Sequence, residues 1–195
     1  MADELWNTPG AVYSGGTSIV AYPFFDNGFA LADDRCVMHR QGAFLADASS
    51  FGPWAFSAGE IDVFYLPALD VEGRALLAYG TYAVALRDAP EVWAMMAYLG
   101  SAEYAEARQR SQASRVDGDV SGFLSANTRQ DLGVYSPIEQ KMVRILQEGQ
   151  PMRFDASDLM PPEVGFGSFW VEGTKAVNGD VTVTAAVDAV EASWP

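Results

Sequence analysis

Chemistry in this chain would have to come from few side chains. His39 is the only imidazole and Cys36 the only thiol, and their proximity makes a Cys/His nucleophile pair formally available. Val37 and its neighbours suit a strand over residues 35–40 (RCVMHR), behind the acidic pair Asp33 and Asp34. On a strand Cys36 and His39 point to opposite faces, because only alternate residues share one. The expected role of His39 is therefore packing or capping. Asp155 and Asp158 of RFDASD stand at i, i+3 and offer an acid/base pair, against the simpler account of an N-cap followed by an exposed carboxylate. No GxSxG, HExxH or GxxxxGK[ST] motif is present. GFGSFW at 165–170 carries two glycines near a helix start but no phosphate-binding lysine. The aromatics are more informative: 5 Trp, 8 Tyr and 11 Phe supply flat faces on which sugar rings stack, while Asp, Asn, Gln and Arg pair with hydroxyls. Most of these rings are expected in the core.

The elements that must position these residues follow from periodicity and breakers. Residues 1–16 read as loop, with Pro9, Gly10, Gly15 and Gly16 as breakers, and a helix can open at Thr17 or Ser18. Phe44, Leu45, Ala48 and Phe51 have helical spacing. Ile61 to Leu66 reads as a short buried strand stopped by Pro67, followed by the apolar stretch RALLAYGTYAVAL. Helices are expected from about Pro90, capped by Asp88, from Ser101, and from Ser136-Pro137 to Gly149, the last with Ile138, Met142, Ile145 and Leu146 on its apolar stripe. VTVT at 181–184 alternates like a strand, but AAVDAVEASW repeats at helical spacing and predicts a helix starting near Thr182 or Thr184. Propensity alone makes residues 163–178 a loop, since Gly165, Gly167 and Gly173 each cost a helix ~1 kcal/mol relative to Ala. Strands separated by long helical stretches predict an α/β arrangement with about three or four strands and about seven helices.

Composition narrows the function. With 195 residues, 49% of them hydrophobic and 19% charged, the chain has the apolar surface for a folded core of one ordinary domain. A formal charge of -14, with no cluster of Lys or Arg, argues against nucleic-acid binding. One Cys and one His cannot make an internal disulfide or a Cys/His zinc site. No apolar run reaches the ~18 residues of a membrane span, and MADELWNTPG lacks the features of a signal peptide.

Three motifs in series carry a family likeness. CVMHRQGAF at 36–44, RFDASDLMPPEVGFGSFW at 153–170 and the terminal EASWP, with FYLPALD, PEVWAMMAYL and GFLSAN in the same order between them, resemble the second half of the substrate-binding proteins of ABC sugar importers. The likeness is to the alpha-glucoside-type branch of extracellular solute-binding protein family 1 and extends from about Gly15 to Pro195. It implies an α/β, periplasmic-binding-protein-like (type II) fold, seen here as the C-terminal lobe plus the crossing segment of the N-terminal lobe. Residues 1–78 would begin the C-terminal lobe, 79–122 would cross to the N-terminal lobe, and 123–195 would return. The leader and first lobe would lie upstream, so a C-terminal half is expected.

The same resemblance makes Glu163 to Asn178 helical despite its glycines and gives Trp170 a ring-stacking role, with Phe169 beside it. Trp54, in GPWA at 52–55, matches a second stacking position of the maltose-binding branch. Arg40 and Gln41 follow a strand end, where ligands meet such sheets, and are nominated as hydroxyl partners together with Asp158. The implied function is a non-enzymatic sugar-binding subunit, periplasmic or extracellular, monomeric when full length, without cofactor, delivering sugar to a membrane permease. Two other classes compete with it. A glycoside hydrolase would use Asp155 or Asp158 with a second acid at ~5 to 9.5 Å, and a self-contained interaction domain would show no large exposed apolar face.

Overall fold

The computed structural model describes residues 2–13, 16–24, 26–46, 59–66, 75–115, 120–149 and 151–195. The chain divides into two compact units, each assembled from separate stretches. One comprises residues 1–37, 77–79 and 152–195, the other residues 38–76 and 80–151.

In the first unit, α1 (Ala2–Asn7) and a 3-10 turn (Gly16–Ala21) pack together, and the short α2 (Phe29–Ala32) buries Ala30. Its C-terminal part contains α6 (Ala156–Leu159), a π-helical turn (Glu163–Ser168), α7 (Phe169–Asn178) and α8 (Val183–Glu191). Helix α7 ends on Gly179 at φ 80°, a left-handed conformation that glycine alone adopts without penalty. The amides of Gly179 and Asp180 then donate to the carbonyls of Ala176 and Lys175, closing a Schellman motif. Thr182 restarts the chain as α8 by accepting from the amide of Ala185 at 3.1 Å. VTVT is thus the entrance of a helix, as the downstream periodicity predicts.

In the second unit, α3 (Pro90–Leu99), α4 (Ala102–Ala113) and α5 (Pro137–Glu148) carry the helical content. Ala46 and Val120 form the centre of its core, covered by Leu45, Ile61, Ile138 and Met142. Helix α4 buries Ala105, Gln109 and Ala113, one residue per turn, and Ser101 caps it by accepting from the amide of Tyr104. Helix α3 starts at Pro90 as expected, but Asp88 does not cap it. That carboxylate instead accepts from the Trp93 indole at 2.6 Å, and the cap position is Ala89.

The strand content is lower than the sequence predicts. Among the described residues there is one ladder, β1 (Leu76–Leu77) beside β2 (Met152–Arg153). The amide of Leu76 donates to the Pro151 carbonyl in one unit, and that of Ala78 to the Arg153 carbonyl in the other. Both indices advance together, so the pair is parallel. Residues 35–40 and 61–66 form no ladder. The second stretch keeps the alternation of a strand, with Ile61, Val63 and Tyr65 half-buried and Asp62, Phe64 and Leu66 exposed. Apolar pattern without a neighbouring strand leaves the backbone unladdered. The helix expected from Ala43 begins as a 3-10 turn, Ala43–Ala46, and its remainder lies outside the described residues.

One buried ionisable group holds the second unit together locally. Ser136-Pro137 opens α5 with a capping box: the Ser136 hydroxyl faces the Glu139 amide, and Glu139 reaches back to Ser136. Glu139 is fully buried. Its Oε2 accepts from the amide and hydroxyl of Ser136, and its Oε1 from the amide and hydroxyl of Ser121 and the amide of Gly122. Five donors therefore satisfy a carboxylate that would otherwise be costly to bury.

Candidate functional site: an exposed aromatic face on a glycine-bearing helix

The segment from Arg153 to Trp170 builds the site in the first unit. Asp155 caps α6 by accepting from the amide and hydroxyl of Ser157, at 2.9 and 2.7 Å, and Asp158 stands exposed in its first turn. The cap account of this pair is the one observed. Pro161-Pro162 stop α6, and the amides of Val164 and Gly165 donate back to the Pro161 carbonyl. The chain then makes the π turn rather than an α-helical one. Gly165 is buried, and a Cβ there would sit 2.1 Å from the Ser157 carbonyl oxygen. At this position glycine is a contact surface: it lets the turn press onto α6. Gly167 meets nothing within 4 Å. Residues 163–178 are accordingly helical, as the family resemblance predicts and propensity does not.

Immediately after the turn, Phe169 and Trp170 begin α7 with 45% and 67% of their surface exposed, and Phe166 within the turn is 69% exposed. Phe169 and Trp170 thus stand exposed at the start of α7, and Phe166 in the π turn before it. Behind this segment the Ser168 and Ser193 hydroxyls lie 2.5 Å apart, joining the turn to the end of α8. From Phe154 to Thr174 there is no Lys or Arg, while Asp155, Asp158, Glu163 and Glu172 are present. Arg153 and Lys175 flank that stretch, Lys175 donating to Glu172 at 2.8 Å, and Asp155 is taken up by its cap, so Asp158 and Glu163 are the carboxylates best placed to accept from hydroxyls.

The remaining nominated residues lie elsewhere. Arg40 and Gln41 belong to the second unit, Arg40 exposed and Gln41 half-buried with its Oε1 accepting from the Gly42 amide. They do not follow a strand, because none forms at 35–40. Trp54 lies outside the described residues. Cys36 is part-buried, and the expected separation of Cys36 and His39 on opposite strand faces loses its basis. His39 Nε2 is buried with no hydrogen-bond partner among the described residues, and burial lowers the imidazole pKa below its ordinary 6.5. A base held neutral in this way binds fewer protons folded than unfolded. Its contribution to stability is intact above about pH 6.5 and is lost as the pH falls through the lowered folded value. His39→Gln is expected to flatten the fall in Tm between about pH 7 and pH 5; an unchanged slope would assign that acid sensitivity to other groups.

A cleft of about 480 Å³ opens in the second unit between α4 and the start of α5, lined among others by Gln109, Arg110, Tyr135 and Ser136. None of the nominated residues among those described borders it. Among the described residues no group of three or more His, Cys, Asp or Glu is placed to hold a metal ion, and no helix is long and apolar enough to cross a membrane.

No family model matches the chain, and no solved structure does. Curated proteins do. The osmoprotective compounds-binding protein GgtB of Synechocystis sp. is 32% identical over 196 residues, which is 98% of this chain and 44% of that protein. The chain is a homologue of solute-binding proteins. The alpha-glucosides-binding periplasmic protein AglE of Rhizobium meliloti is 30% identical over 192 residues, 94% of this chain and 39% of that protein. The homology runs through nearly the whole chain, so the motifs at 36–44 and 153–170 and the C-terminal helices belong to one relationship. The likeness to alpha-glucoside-binding proteins read from those motifs is upheld. The chain spans less than half the length of the curated relatives it matches.

Phe166 was not among the residues singled out from sequence. The glycines on either side of it obscured the helix.

Proposed function

We propose that the chain is the C-terminal half of the sugar-binding subunit of an ABC importer, with alpha-glucosides or other oligosaccharides as the ligand class. The observation that carries this reading is Trp170, a large ring left mostly exposed at the start of α7 in a chain similar over nearly its whole length to an osmoprotective compounds-binding and an alpha-glucosides-binding protein. The fold of the whole would be periplasmic-binding-protein-like, type II, with residues 1–78 and 123–195 in the C-terminal lobe and 79–122 in the N-terminal lobe. Sugar would stack on Trp170 beside Phe169, with Asp158, Arg40 and Gln41 as hydroxyl partners and Trp54 as a second stacking residue. Closure of the two lobes would then present them to a permease. The protein would act outside the cytoplasmic membrane and carry out no catalytic step. The largely apolar exterior of α3, where Trp93, Met95 and Tyr98 are exposed and Glu91 is the one charged residue, fits a partner lobe better than a self-contained domain.

Half a cleft binds weakly, so the test must read weak affinities. Saturation-transfer NMR on the 195-residue chain with maltose and trehalose is expected to show transfer from aromatic protons to sugar ring C–H groups. Trp170→Ala is expected to remove it, through a loss of about tenfold or more in affinity. Undiminished transfer in Trp170→Ala would remove the stacking role.

A further inference from the structure

We propose that the cleft between α4 and the start of α5 is a binding site for a small organic carboxylate with an apolar body, held by Gln109 and Arg110. The inference stands independently of the sugar-binding reading.

Gln109 is the observation that carries it. It lies within α4 on the face that also buries Ala105 and Ala113, and 1% of its surface is exposed. Its Nε2 is buried and has no hydrogen-bond partner among the described residues. A buried amide that donates to nothing costs stability, and such a group calls for a water, an ion or a functional role. An apolar side chain here would continue the face of α4 without that cost. Gln109 also borders the cleft, so rotation about its side-chain torsions brings the amide towards the opening. That rotation sacrifices no hydrogen bond of Nε2 and gains one when an acceptor is present.

The rest of the wall decides the chemistry. Arg110 borders the same cleft. Its Nη2 donates to Glu106 at 3.1 Å, and the Arg110 side chain remains 63% exposed. A guanidinium carries five N–H donors, so donors are left for a second carboxylate. Other polar groups of the wall are already engaged: the Ser114 hydroxyl donates to the Ser111 carbonyl, the Ser136 hydroxyl to Glu139, and the Gly133 amide to Asp131. Among the described residues no Asp or Glu lines the cleft, and Glu106 and Asp131 beside it meet Arg110 and the Gly133 amide. Ala113, Val134 and Pro137 supply apolar wall. Spare donors beside an apolar surface match a carboxylate on an apolar body, because ionised oxygens form the stronger hydrogen bonds and a guanidinium can take both together. The volume of about 480 Å³ lies within the range of about 300–1,000 Å³ for small-molecule sites.

Sodium benzoate and benzamide, alike in shape and different in charge, are the probes for amide NMR on the isotope-labelled 195-residue chain. The Gln109 side-chain amide, assigned by its loss in Gln109→Met, should shift with benzoate and saturate in the millimolar range. Benzamide should bind about tenfold more weakly. Gln109→Met should also bind benzoate about tenfold more weakly, yet melt about 2–6 °C higher without it, because an unsatisfied amide gives way to an apolar chain. Arg110→Gln should lose the preference for benzoate over benzamide with Tm almost unchanged, its pair with Glu106 being a surface one. A Gln109 amide that stays unmoved at about 50 mM benzoate, or that responds equally to benzamide, would overturn the carboxylate site. Undiminished benzoate affinity in Gln109→Met would do the same. A Gln109→Met chain that melts below the wild type would show that an ordered water already satisfies the amide, and would overturn the proposal at its origin.

Discussion

Glu139→Ala is expected to destabilise the second unit by about 3–5 kcal/mol, the cost of removing the charged acceptor from a buried, hydrogen-bonded cluster. The substitution leaves the amides of Ser121, Gly122 and Ser136 and two hydroxyls without the oxygen atoms they now share. It also breaks the capping box of α5. Since typical folding free energies are about 5–15 kcal/mol, the loss is a large fraction of the total. For a chain of this length it corresponds to a fall in Tm of roughly 6–20 °C. Glu139→Gln separates charge from shape. Donors face both carboxylate oxygens, so the amide nitrogen must oppose at least one N–H or O–H, and a substantial loss should persist. Urea unfolding of both variants checks this; a change below about 1 kcal/mol for Glu139→Ala would mean that water replaces the carboxylate without penalty.

The second large effect is expected at Gly165. A Cβ at 2.1 Å from the Ser157 carbonyl oxygen and 3.3 Å from Met160 Cβ cannot be accommodated without separating the π turn from α6. Overpacking of this kind costs about 1–3 kcal/mol, occasionally more, and the obstacle here is backbone rather than a flexible side-chain end. Gly165→Ala should therefore lower stability by about 2–4 kcal/mol and displace Phe166, Phe169 and Trp170 together. Gly167→Ala is the paired control: it meets nothing within 4 Å, and its better helix propensity should make it neutral or stabilising by up to about 1 kcal/mol. Thermal melts of the two single variants decide the matter, because equal melting temperatures would show that the close approach carries no energy.

The contrast between these glycines explains much of what could and could not be read from sequence. Local signals that act within one turn were legible: Ser136-Pro137 opening α5, Thr182 capping α8, Ser101 capping α4 and Asp155 capping α6. Their chemistry is complete within four residues. Signals that depend on a distant partner were not. Asp88 has the form of a cap, yet the Trp93 indole claims it. Residues 35–40 and 61–66 have strand composition, but a strand exists only where another lies beside it. Glu139 reads as an ordinary capping-box residue until Ser121 and Gly122 close over it. Gly165 and Gly167 look identical in sequence and differ only in what α6 brings near them. The helix that carries Phe169 and Trp170 was legible through resemblance, whereas propensity made it a loop.

The division of the chain into stretches also has a consequence for its biosynthesis. The second unit is nearly continuous, lacking only residues 77–79 between 38 and 151, so it can assemble as it leaves the ribosome. The first unit cannot. Its opening 37 residues must wait while roughly 114 more are made before residue 152 follows, an interval of about 6 to 23 s at ordinary elongation rates. Through that interval the Gly16–Ala21 turn has no α7 to pack on. The Gly16–Ala21 turn therefore stays without its packing partner until the helix that bears Trp170 has been made.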